Sequence, residues 1–99
     1  MRTRLELDAK LRELCSNVYY QPPESVIMKY PAIRYSRYDI DNQHADNSPY
    51  IQSPVFQVIV IDADPDSKIV EAVANLSMCS YDRHYASDNL NHDVFTIYL

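Results

Sequence analysis

Glycine is absent from the 99 residues, and so is tryptophan. Without glycine, no glycine-rich phosphate loop of the Walker or dinucleotide type can be built, which removes most nucleotide-binding functions. Backbone sites that need positive φ fall to Asn or Asp, with Asp41-Asn42, Asp46-Asn47 and Asp88-Asn89 as the candidates. Cysteine is scarce: Cys15 and Cys79 sit in apolar-patterned segments and read as buried free thiols rather than a disulfide. No apolar run approaches the ~20 residues of a membrane-spanning helix, so no membrane partner is expected. The start, Met1 to Asp8, has no apolar secretion core, which points to synthesis in the cytoplasm.

Positive charge is also scarce, and unevenly so. The net charge is −5. Residues 1–38 carry seven Lys/Arg against four Asp/Glu, whereas residues 39–99 carry two against ten. An acidic surface repels nucleic acid, which argues against sequence-specific DNA or RNA binding. The segregation, +3 against −8, offers two complementary faces for self-association.

What is present begins with one apolar stretch. Val55 to Ile61 is apolar except for Gln57 and rich in β-branched residues, so it reads as a strand covered on both faces, with Ile59 in the core. It feeds a helix over which Ile69, Val70, Val73 and Leu76 form one stripe, with Asp64 as the expected cap, Pro65 in the first turn and Asp66 at the positive end of the dipole. Asp62, Asp64 and Asp66 imitate the opening of a calcium loop but lack its glycine and closing glutamate.

Before that stretch, residues 3–18 read as a helix. Thr3 and Glu6 have capping-box spacing, and Leu7, Leu11, Leu14, Cys15 and Val18 form its apolar stripe. Pro22-Pro23 breaks it. A strand follows from Pro31 to about Tyr38, with Ile33 and Tyr35 inward and Arg34, Ser36 and Tyr38 outward. Residues 39–53 are polar and turn-rich and read as a long flexible loop. After the second helix, residues 77–85 and 92–99 read as two more strands, the last with Phe95, Ile97 and Leu99 on the core side and Val94, Thr96 and Tyr98 on the other. The expected fold is a single α+β domain over residues 1–99 in the order α-β-β-α-β-β, a four-stranded sheet with both helices packed on one face.

Chemical signatures are few. No nucleophile elbow and no paired catalytic carboxylates stand out, so no catalytic residue, cofactor or metal site is assigned. His84 and His92, with Asp82 and Asp93, fall on two arms of one hairpin. They leave open a small intracellular metal-binding domain or enzyme, although no third ligand is set by spacing. A monomeric adaptor is also open. Nine tyrosines against two phenylalanines favour sites that are half buried and half wet, as at interfaces.

Five segments carry a family resemblance: Leu11-Arg12-Glu13-Leu14, Tyr30 to Tyr35, Val58 to Ser67, Tyr81 to Tyr85, and Asp88 to Asp93. Together they resemble the tail-terminator, or tail-completion, neck proteins of long-tailed bacteriophages over nearly the full length. The resemblance implies a structural, non-enzymatic virion protein, made in the host cytoplasm. It would assemble as a hexameric ring at the head-proximal end of the tail tube, end tube polymerisation and meet the head–tail connector protein, with DNA passing through its lumen. A connector or minor capsid protein of the same neck region is the alternative. The resemblance carries no catalytic residue. Within the expected loop, Gln43, His44, Asp46, Asn47, Tyr50 and Ile51 are the candidate contacts to a neighbouring subunit or the tail tube, with Tyr50 and Ile51 as anchors at its exit.

Overall fold

The computed structural model describes residues 3–43 and 51–99, with side chains at 3–38 and 54–99. Thr3 caps the first helix, α1 (Arg4–Leu14), its hydroxyl accepting from the Glu6 amide at 3.2 Å. The helix ends earlier than its apolar stripe. Cys15 is already extended, and Val18 belongs to a short strand, β1 (Val18–Tyr20). This strand runs parallel to β2 (Ala32–Gln43) and makes the sheet mixed. Then come β3 (Ile51–Asp62), α2 (Lys68–Ala74), β4 (Cys79–Ser87) and β5 (Leu90–Tyr98).

The fold is α+β, but the sheet has five strands rather than four, in the order β1-β2-β3-β5-β4. The helix packing also differs in detail from the expected pair of covering helices. Helix α2 is only seven residues long, and just Val73 of it is fully buried. Helix α1 contacts β1 and α2, and α2 contacts β4. The α2 cap is Ser67, whose hydroxyl accepts from the Ile69 amide at 3.3 Å. Asp64 serves another purpose: Asp62 Oδ1 accepts from its amide and its own Oδ1 accepts from the Asp66 amide, so two Asx turns carry the chain round from β3.

Cross-strand partners share a face, so the register sorts the sheet into two sides. One side presents Ile33, Tyr35, Phe56, Val58, Val60, Phe95 and Ile97, which join Leu7, Leu11, Cys15, Val18 and Val73 in a single core cluster. Phe95 is buried as expected. Ile59 faces the other way, opposite Arg34 and Val94, and is only half buried.

The expected loop over residues 39–53 is a correction. Asp39–Gln43 continues β2 and Ile51–Ser53 opens β3, paired from Asp39↔Val55 through Gln43↔Ile51 after a bulge at Arg37/Asp39. Alternation of β-branched residues is what betrays a strand in sequence, and this polar stretch lacks it. The Ser87–Leu90 connection matches its reading: Asp88 and Asn89 both adopt positive φ, 53° and 63°, as a two-residue primed turn demands. Gln21 and Met78 also take positive φ, which no sequence cue marked.

Candidate functional site

Two features of the sheet leave polar or interaction-competent surface without an internal partner. The first is the end of the β2–β3 hairpin. Strand β5 stops opposite Val55, and Leu99 makes one further bond from its amide to the Pro54 carbonyl. On the other flank, β1 pairs only with residues 33–35 of β2. The pairs Asp41↔Ser53, Asn42↔Gln52 and Gln43↔Ile51 therefore form a two-stranded ribbon with no third strand on either side among the described residues. Of the sequence candidates, Gln43 and Ile51 close this ribbon as paired strand residues, a correction to their assignment to a loop. His44, Asp46, Asn47 and Tyr50 lie outside the described residues.

The second feature is the sheet side that carries no member of the core cluster. It presents Arg34 and Ser36 from β2, Gln57 and Ile59 from β3, His92, Thr96 and Tyr98 from β5, and Ser80, Arg83 and Tyr85 from β4, around buried Ala32, Val55, Ile61 and Val94. The Tyr85 and His92 rings stack at 4.6 Å. Residues 22–28 border this side near the β1 edge, where Pro22, Pro23, Glu24, Val26 and Met28 enclose a cavity of ≈ 210 Å³ with Arg34. The outward positions of Arg34, Ser36, Thr96 and Tyr98 were legible from alternation. That they converge on one open surface depends on strand order, which alternation does not encode.

The histidine pair does not come together. Tyr85 is opposite His92 and His84 opposite Asp93, so the two imidazoles project from opposite sides of the β4–β5 hairpin. His84 Nε2 contacts Asn91 Oδ1 at 3.1 Å, and His92 Nδ1 contacts the Leu90 carbonyl at 3.2 Å. Among the described residues, no three His, Cys, Asp or Glu side chains gather as a metal centre. Both cysteines are free: Cys15 is buried, with its thiol near the Pro31 carbonyl, and burial pushes the Cys79 thiol up.

One polar cluster, buried at Tyr35 and open to solvent at Arg12, ties α1 to the sheet. The Tyr35 hydroxyl donates to Asp8 Oδ1 and accepts from Arg4 Nη1 at 3.3 Å. Arg12 Nε donates to Asp8 Oδ2 at 2.7 Å. Burial, reinforced by the hydrogen bond to Asp8, pushes the Tyr35 phenol up to about 12. Burial alone would raise the Asp8 carboxyl, but the bonds from Arg12 and Tyr35, with the charges of Arg12 and Arg4, outweigh it and hold it below its ordinary value. Arg4 also lies 4.5 Å from the centre of the Tyr20 ring. Each of the four groups bonds another of them, so the cluster acts as a structural clamp.

No helix among the described residues is long and apolar enough to cross a membrane. No protein-family model matches the chain, and no curated protein matches it.

Proposed function

We propose that this chain is a ring-forming structural subunit of a long-tailed phage, a tail terminator that caps the head-proximal end of the tail tube and joins it to the head connector. The observation that carries this reading is the β2–β3 ribbon. A two-stranded ribbon is marginal in water by itself, because half of its backbone polar groups face solvent and it buries little. Such a ribbon gains its support when it lies against another molecule, here the neighbouring subunit or the tail tube protein. The sequence resemblance over nearly the whole chain supports the same role, as do the many tyrosines and the segregated charge.

The experiment shortens the ribbon without touching the core. Asp41 and Ser53 face one another, so an Asn-Gly dipeptide replacing residues 42–52 closes the hairpin with a two-residue turn. The variant is expected to keep the wild-type circular dichroism and to fail at capping, leaving tail tubes overlong in negative-stain images. Tubes of normal length would remove the ribbon from the mechanism. A head–tail connector of the same neck region is separated by the same images: its loss leaves tube length normal and heads unattached.

A further inference from the structure

We propose that the outer edge of β4 receives the β2–β3 ribbon of a second copy of this chain, so that one sheet continues into the next through main-chain hydrogen bonds. The backbone of the ribbon at Ile40 and Asn42 meets that of the receiving edge at Ala86 and His84. The inference rests on the ring reading above and names the contact that would build the ring.

Backbone groups alternate in direction along a strand, and on an outer edge every second residue has no ladder partner. On β4 the direction is fixed at both ends. The Tyr98 amide donates to the Met78 carbonyl at 3.0 Å, and the two-residue turn makes Ser87 and Leu90 a bonded pair. Counting back from the turn, Ser87, Tyr85 and Arg83 face β5, whereas Ala86 and His84 face away from it. Ser80 to Ser87 are all exposed, and β4 ends the sheet with no strand beyond it among the described residues. Edges are commonly kept from pairing by proline, lysine or other charges, or a bulge. The β4 bulge lies at Tyr81/Arg83; past it, His84 to Ser87 holds no proline, no lysine and no carboxylate.

The outer edge of β2 is covered only as far as its own bulge. The Ile33 amide donates to the Asn17 carbonyl at 2.8 Å, the Gln21 amide to the Tyr35 carbonyl at 2.9 Å, and the Arg37 amide to Gln21 Oε1 at 3.3 Å. Beyond Arg37/Asp39, the Pro54 carbonyl accepts from the Leu99 amide and so faces the β5 side. Its partner Ile40 therefore faces outward, and so, two residues on, does Asn42. Both edges thus present two outward residues at i, i+2 spacing, each following a bulge. Within one subunit they cannot meet, because β3 and β5 lie between β2 and β4. Between copies they fit in direction as well as spacing. Direction alternates across β2, β3, β5 and β4, so β2 and β4 run oppositely. Copies related by rotation about an axis along the strands keep those directions, and β4 of one copy laid beside β2 of the next pairs antiparallel. Ile40 then opposes Ala86 and Asn42 opposes His84, each pair exchanging two bonds. The joined edges are different surfaces of one subunit, so the contact is head-to-tail, and its repetition by rotation closes a ring.

Proline tests this in the full chain, because at these positions it removes an outward amide and leaves the bonds to the neighbouring strand in place. Ala86→Pro acts on the receiving edge and Asn42→Pro on the ribbon. Wild type is expected to associate as concentration rises in sedimentation. Each variant, folded by circular dichroism, should associate about tenfold or more less tightly. Hydrogen exchange on wild type reads the same contact with no substitution, and so decides the matter if a variant fails to fold. From monomer to associated protein, the amides of Ile40, Asn42, His84 and Ala86 should gain protection. Those of Arg83 and Tyr85, already bonded to β5, should stay nearly unchanged. Wild type that is monomeric at every concentration, folded proline variants that associate like wild type, or protection gained elsewhere would each overturn the pairing. Protection of His84 and Ala86 alone, in a species that stops at a dimer, would assign the edge to two-fold β4–β4 pairing and overturn it too. Rings that form through these strands but do not cap tubes would sink the terminator reading and leave this contact standing; tubes capped at normal length by folded Ala86→Pro protein would do the reverse.

Discussion

At the scale of the residue, Tyr35 does the most. Its ring packs 4.8 Å from Tyr20 and 6.2 Å from Phe56, while its hydroxyl reaches 27 residues back to Asp8. Tyr35→Phe keeps the ring and removes the hydroxyl, leaving the Asp8 carboxylate one donor short. A hydrogen bond to a charged group is worth about 1.5–3 kcal/mol, so a loss of that order is expected in denaturant titration. The pH dependence has a definite sign. The phenol titrates near 10 when unfolded and at about 12 in the fold, so its contribution is complete below pH ~10 and disappears as pH rises towards 12. Asp8 behaves oppositely: its contribution is present above the ordinary carboxylate range and fades as pH falls through its lowered value. The Phe variant should show a smaller alkaline loss than wild type between those two values, since Tyr81 and Cys79, also raised, remain; an identical alkaline limb in both would remove Tyr35 as a source. Alternation placed Tyr35 inward, but its partners were not legible, since nothing local links a strand hydroxyl to a helix carboxylate that distant.

At the scale of the element, legibility tracked periodicity. Helix α1 was readable from its Thr3 cap and its Leu7 and Leu11 stripe. Strand β1 was not: three residues cannot show a period, and Val18 continues the helical stripe by coincidence of spacing. Asp64 was mistaken for a cap because Asp, Pro and Asp in succession imitate a helix start, whereas Ser67 three residues on makes the bond. Strand β3 was readable as a strand, but its apolar run implied equal burial of both sides. The sides are unequal, and substitutions should separate them. Phe95→Ala empties a site on the core side and should cost about 3–5 kcal/mol. Ile59→Ala, on the half-covered side, should cost less than about 2 kcal/mol in the free protein, since neighbours already leave it part of its water. Equal shifts in melting for the two would mean that both sides of the sheet are equally closed.

At the scale of the whole molecule, the sheet runs from a well-supported middle to an unsupported end, and stability should follow the same gradient. In the middle, β3 is bonded on both edges, to β2 and to β5, and Val58 and Val60 point into the core. Their amides can exchange with solvent only when the sheet opens, close to global unfolding. At the end, the amides bonded within Asp41–Gln43 and Ile51–Ser53 need only the ribbon to part. That opening exposes no core cluster residue and breaks no third strand, so it requires a small fraction of the global free energy. Hydrogen exchange on the free protein should therefore show fast exchange in the ribbon and slow exchange at Val58 and Val60. If the ribbon is the part that a neighbouring subunit or tail tube supports, assembly should slow exchange there by orders of magnitude while leaving the middle of β3 nearly unchanged. Strong protection of the ribbon in free, monomeric protein would mean that the hairpin stands without a partner. The physical reason for giving it an assembly role would then be gone.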